Sequence, residues 1–124
     1  MIFLDTHVVV WLYAGELELF SERGRSLLEK NELAISPLVK LELQYLREIK
    51  KIKVEPKKII DALVAELGLV TQDMSLTSMV TAAIEETWTR DPFDRFLVAQ
   101  ARICDCPILS RDREILKNYS AAVW

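Results

Sequence analysis

Only two cysteines, one histidine, three glycines and four prolines occur among the 124 residues. Cys104 and Cys106 stand one residue apart, which is poor geometry for a bridge and too few ligands for zinc. A disulfide framework and a structural zinc site are thereby excluded, and both thiols read as reduced packing residues. A lone His7 leaves no Ser-His-Asp or Cys-His arrangement, and no glycine-rich loop is present to cradle a phosphate. Beside a strand end, His7 reads as a hydrogen-bonded structural residue rather than a base. With 51% hydrophobic and 28% charged residues the chain is neither fibrous nor disordered. No apolar run reaches the length of a membrane span, and Met-Ile-Phe-Leu-Asp lacks a basic leader, so a cytoplasmic location is expected.

What is present fits one domain, residues 1–124, with a single core. Short apolar runs alternate with helical patterns. Ile2-Phe3-Leu4, Leu33-Ala34-Ile35, Leu69-Val70-Thr71, Pro107-Ile108-Leu109-Ser110 and Ala121-Ala122-Val123-Trp124 read as strands. Between them the chain predicts helices: residues 8–14 stopped by Gly15, a short one from Ser21 to Lys30, and one opened by Ser36-Pro37 as N-cap and N1. The stripe Leu38, Leu41, Tyr45, Leu46 and Ile49 marks the last of these, and a basic connector leads to a partner helix from Glu55-Pro56 to Gly68. These two form a helical hairpin on which Leu38, Tyr45, Leu46, Ile52, Ile59 and Leu63 offer apolar surface for a partner. Further helices follow from Ser75 or Thr77, from Asp91-Pro92, and over residues 113–117. The expected fold is α/β in three layers, with a mainly parallel, roughly five-stranded sheet, helices on both faces and the hairpin protruding.

Four acids stand out because of where this fold puts them. Asp5 and Asp112 follow strand ends, where open α/β sheets gather ligands in a crevice. Glu42 lies within the apolar stripe of its helix, either snorkelling to solvent or meeting a cation. Asp94 is the third residue of a helix and shares a face with Leu97, Val98 and Ala101, so it is either a dipole partner or a group in need of a counter-charge. Asp91 reads as the N-cap. Like charges gathered together raise one another's pKa values unless a cation neutralises them, and an all-oxygen set favours Mg²⁺ or Mn²⁺ over zinc. The net charge is −3, yet without these four the other 15 acids face 16 basic residues. A metal-loaded pocket near Arg90, Arg95, Arg102, Arg111 and Arg113 is therefore compatible with a polyanionic partner.

Taken together, Phe3-Leu4-Asp5-Thr6-His7, Ser36-Pro37 with Glu42, Asp91-Pro92-Phe93-Asp94-Arg95 with Ala99-Gln100-Ala101, and Leu109-Ser110-Arg111-Asp112 resemble PIN domains, and among them the VapC toxins. The resemblance spans essentially the whole chain. It implies a Mg²⁺-dependent endoribonuclease whose catalytic and metal-binding carboxylates are Asp5, Glu42, Asp94 and Asp112. Thr6, Ser36 and Asp91 would border the pocket, and Arg90, Arg95 and Arg111 would touch RNA. It also implies a VapB-like antitoxin and a homodimer. Two other readings stay open: a PIN nuclease of RNA processing outside any toxin–antitoxin pair, and a non-catalytic interaction module whose acids only cap helices.

Overall fold

The computed structural model describes residues 1–124. Five strands, β1 (Ile2–Leu4), β2 (Leu33–Ile35), β3 (Val70–Thr71), β4 (Ile108–Leu109) and β5 (Ala122–Val123), form one sheet in the order β3-β2-β1-β4-β5. Every pairing is parallel, including the last edge strand. Phe3 pairs with Ala34 on one side and Ile108 on the other, so β1 lies at the centre. From β1 the chain builds outward through β2 and β3, and then β4 and β5 are added on the opposite edge. The crevice between the ends of β1 and β4 is the point where strand order reverses.

Seven α-helices connect the strands: α1 (Thr6–Ala14), α2 (Glu22–Lys30), α3 (Pro37–Glu48), α4 (Pro56–Leu67), α5 (Leu76–Ile84), α6 (Pro92–Cys104) and α7 (Arg113–Asn118). Their starts follow capping chemistry. Ser36, Glu55 and Asp91 each precede a proline at the first helical position, and Gly15 and Gly68 end α1 and α4 in the left-handed conformation. Alternation along β1 splits the interior into two layers. Ile2 and Leu4 join Val8 and Val9 of α1, Val39 and Leu43 of α3, and Ile59 and Leu63 of α4. Phe3 points the other way, toward Leu97, Val98 and Ala101 of α6 and Ile115 of α7. The helix α5 lies on α6 with Met79 and Ala83 buried.

Several helical faces differ from the sequence expectation. In α3 the core is reached by Val39 and Leu43, while Leu41, Tyr45 and Ile49, read as its inward stripe, are 57%, 52% and 44% exposed. Both sets satisfy a helical spacing, and only contact with α1, α4 and α6 chooses between them. The same holds on α4 and α5, where Val64, Leu67, Val80 and Ile84 face outward. Ile59 and Leu63, expected to offer partner surface, are instead fully packed into the core. The hairpin of α3 and α4 is thus held to the core by one side, through Val39, Leu43, Ile59 and Leu63, and leaves Leu41, Tyr45, Val64 and Leu67 exposed on the other. Cys104 and Cys106 are both free thiols.

Candidate active site

Parallel strands end at one rim, and residues just past the ends of β1, β2 and β4, namely Asp5, Ser36 and Asp112, cap the helices that follow. Asp5 follows β1 as the N-cap of α1, and its Oδ1 accepts the Thr6 N–H at 2.7 Å. Its Oδ2 accepts the Ser110 hydroxyl at 2.6 Å, and that hydroxyl oxygen in turn accepts the Asp112 N–H at 3.0 Å. Ser110 thereby clamps the ends of β1 and β4 together. Asp112 caps α7, with Oδ1 accepting from Glu114 and Ile115. The second ring nitrogen of His7, Nε2, accepts the Arg111 N–H at 3.0 Å, which leaves the proton of the neutral ring on Nδ1, 3.4 Å from Asp5 Oδ2.

Two further carboxylates come from helices. Asp91 caps α6 by accepting from the N–H groups of Phe93 and Asp94 through Oδ1. This leaves the Asp94 side chain, one turn on, directed back across the rim. Glu42 projects from the second turn of α3. It lies between the core stripe of Val39 and Leu43 and the exposed stripe of Leu41 and Tyr45, and is half-buried. These groups line an open cleft of about 240 Å³ whose walls include Asp5, Thr6, His7, Glu42, Leu46, Asp91, Asp94 and Asp112. Beneath it a recess of about 10 Å³, the scale of one water or small ion, is lined by Ser36 as well as Asp5, Thr6, Glu42 and Asp94.

The five carboxylates of the cleft face one another without a neutralising Lys or Arg within ion-pair distance. Burial first, then the charges of Asp91, Asp5, Asp112 and Glu42, push the Asp94 carboxyl up to about 8. Glu42 is also raised, chiefly by burial and then by Asp5 and Asp91, with the Thr6 hydroxyl working against the shift. Such a group of oxygens fits a hard divalent cation. No three His, Cys, Asp or Glu side chains are drawn into a closed ligand set.

The fold therefore brings Asp5, Thr6, Glu42, Asp91, Asp94 and Asp112 to one cleft and sets Ser36 just below it. Arg111 lines the neighbouring concavity with Asp112. Arg90 and Arg95 do not line the cleft; they donate to the carbonyls of Thr87 and Thr89. Two residues that shape the cleft, one in its wall and one buried behind it, were not among the expected site residues. His7, taken as structural because it is single, is hydrogen-bonded as expected but also forms part of the wall. Ser110, read as a strand end and as part of the Leu109-Ser110-Arg111-Asp112 motif but given no role of its own, holds two of the acids in register; the hydroxyl between a strand end and a helix-capping acid was the available signal.

The fold has close counterparts. A toxin–antitoxin complex from Klebsiella pneumoniae contains a chain that aligns with a TM-score of 0.69 at 13% identity, covering 100% of this chain and 97% of that one. The VapBC2 complex of Rickettsia felis, bound to a DNA fragment from its promoter, aligns at 0.62 and 20% identity, covering 100% and 98%. No curated protein sequence matches the chain significantly. The PIN domain profile matches residues 2–121, from the first residue of β1 to the threshold of β5. That match runs through every strand end and helix start that builds the cleft, and the chain belongs to the PIN domain family.

Proposed function

We propose that the protein is a Mg²⁺-dependent endoribonuclease of the VapC type, the toxin of a toxin–antitoxin pair acting in the cytoplasm. The observation that carries this reading is the convergence of Asp5, Glu42, Asp94 and Asp112 on one open cleft that contains no balancing Lys or Arg. Family membership and the fold shared with chains of toxin–antitoxin complexes support it. Asp5 is fixed by Ser110 and the Thr6 N–H and offers an immobile anionic edge. Asp112 is fixed by its capping bonds, and its Oδ2 carries none of them. The Asp94 carboxyl, raised to about 8, exchanges a proton near neutral pH and so can accept one from an attacking water, and Glu42 is shifted in the same direction. A divalent cation held among these oxygens would acidify water and neutralise charge developing on the phosphoryl and leaving oxygens. Arg111, at the neighbouring rim, offers a cation to the RNA backbone, and Arg90 and Arg95, on either side of the capping Asp91 at the start of α6, are further candidates for RNA contact.

Apolar side chains exposed on α3 and α5, among them Leu41, Tyr45, Leu76 and Ile84, support a homodimer and a VapB-like antitoxin as the partners that cover them. The direct test is cleavage of RNA with Mg²⁺ or with chelator, by the wild type and by Asp5→Asn and Asp94→Asn. The reading expects metal-dependent cutting that both variants lose by at least two orders of magnitude while keeping the fold. Full activity in either variant rejects the assignment.

A further inference from the structure

Beside the acidic cleft lies a second concavity of about 330 Å³, lined by His7, Trp11, Arg111 and Asp112. It shares His7 and Asp112 with the cleft, so the two adjoin. Its floor is aromatic. His7 and Trp11 stand one turn apart on the same face of α1 with ring centroids 4.8 Å apart, and Trp11 meets Trp124 edge-on at 5.6 Å. The Arg111 guanidinium carbon lies 6.0 Å from the Trp124 ring centroid, and this arginine forms no ion pair.

Packing explains only the inner side of this group. Phe20 is buried and stacks on Trp124 at 5.3 Å while meeting the edge of Trp11 at 6.1 Å, which accounts for the faces turned to the core. The outer faces are half-exposed. Trp88 is the only tryptophan whose indole N–H is hydrogen-bonded within the chain. Those of Trp11 and Trp124 have no such partner, although neither is sealed from solvent. Flat aromatic faces beside an unpaired arginine, opening onto a cluster of acids, are the elements of a site for single-stranded nucleic acid: the rings stack a base and the cation holds the adjoining phosphate.

We infer that His7, Trp11 and Arg111 form a subsite for the nucleotide next to the phosphate being cut, its base stacked over Trp11, with the His7 ring, tilted 56° to Trp11, at its edge and its backbone held by Arg111. The inference rests on the reading of the cleft as a ribonuclease site and adds to it the element that grips substrate without touching the reacting atoms. Trp11 and Arg111 are binding residues here, whereas the carboxylates perform the chemistry.

The test uses the full chain in chelator, with fluorescence anisotropy of a short 2′-O-methyl oligoribonucleotide and of an abasic strand of the same length. Trp11→Leu should weaken binding of the base-containing strand by roughly 5- to 140-fold, the range that stacking of one base spans, and leave the abasic strand unaffected. Trp11→Phe should restore most of the loss. Arg111→Gln, at an exposed position outside the core, should weaken both strands and reduce the magnitude of the log–log salt slope by about 0.7, the loss of one phosphate contact. Equal binding of both strands by wild type and Trp11→Leu overturns the subsite, as does an unchanged salt slope in Arg111→Gln, which holds the test open should Trp11→Leu fold poorly. If wild type cuts RNA while these variants bind normally, the subsite fails and the nuclease reading survives. If wild type binds no oligoribonucleotide in chelator, the subsite is overturned, and the nuclease reading stands or falls separately on cleavage with Mg²⁺.

Discussion

Replacing Asp94 by Asn removes one charge from the crowded cleft while keeping the shape of the side chain. In the metal-free protein the folded pKa of Asp94 is pushed from 3.8 to about 8, by burial first and then by Asp91, Asp5, Asp112 and Glu42. The sign of its effect on stability follows directly. Below the ordinary carboxyl pKa both the folded and unfolded states are protonated, and the contribution is fully present. As pH rises toward about 8 the unfolded chain gives up its proton while the folded chain keeps it, so stability falls with pH. One retained proton sets an upper limit of about 1.4 kcal/mol per pH unit, and the partial exposure of Asp94 reduces the expected slope to roughly 0.5–1 kcal/mol per unit. Glu42 is shifted in the same direction but persists in the variant, so the difference between the two proteins isolates Asp94. Urea unfolding in chelator across the neutral range should show wild type losing stability with pH faster than Asp94→Asn. Adding Mg²⁺ should reverse the wild-type trend, with about 1.4 kcal/mol of stabilisation at a tenfold excess over Kd and proton uptake by the buffer as the ion binds. Parallel pH profiles for the two proteins would refute the crowding argument, and equal stabilisation of both by Mg²⁺ would remove Asp94 from the cation site.

Other consequences follow from the hydrogen bonds around the cleft and behind it. Ser110→Ala removes the donor to Asp5 and the acceptor of the Asp112 N–H together. It should lower unfolding free energy by about 1–3 kcal/mol and weaken Mg²⁺ binding measured by calorimetry, because two acids lose their common anchor. On the far side of α6, buried Glu86 accepts from Trp88 Nε1 at 2.6 Å and from Arg102 Nε at 2.5 Å. Arg102→Met strands that carboxylate with a single donor, so the urea midpoint should fall by the equivalent of about 1–3 kcal/mol with an unchanged m-value, while RNA cleavage is retained.

The parts of this molecule set by local chemistry were legible in its sequence. Ser36-Pro37, Asp91-Pro92 and the glycines at 15 and 68 fix helix ends through backbone geometry alone, and each stands where its pattern places it. The three-residue apolar runs at Ile2 and Leu33 are strands because a parallel sheet buries both faces, which leaves no polar alternation to read. The face of α3 was not legible, since Leu38, Leu41 and Tyr45 compete with Val39 and Leu43 at the same spacing, and only tertiary contact decides. Glu42 sits between those stripes, which is why one residue could be read as either a surface or a cleft group. The aromatic group of Trp11, Phe20 and Trp124 was hidden for another reason: Trp11 and Phe20 lie near the start of the chain and Trp124 at its last position, and the three meet only when β5 completes the sheet edge. The same applies to Ser110, whose partner Asp5 lies 105 residues away.

The central claim is that the carboxylates of the cleft direct water onto RNA phosphorus with the help of a divalent cation. It is tested most directly by the ends left on the products when purified protein meets RNA with Mg²⁺ and with chelator, alongside Asp5→Asn. Attack by water predicts linear monophosphate ends, formed only with the metal and absent with the variant. Products bearing 2′,3′-cyclic phosphate, or cutting that survives chelation or the loss of Asp5, would contradict the account.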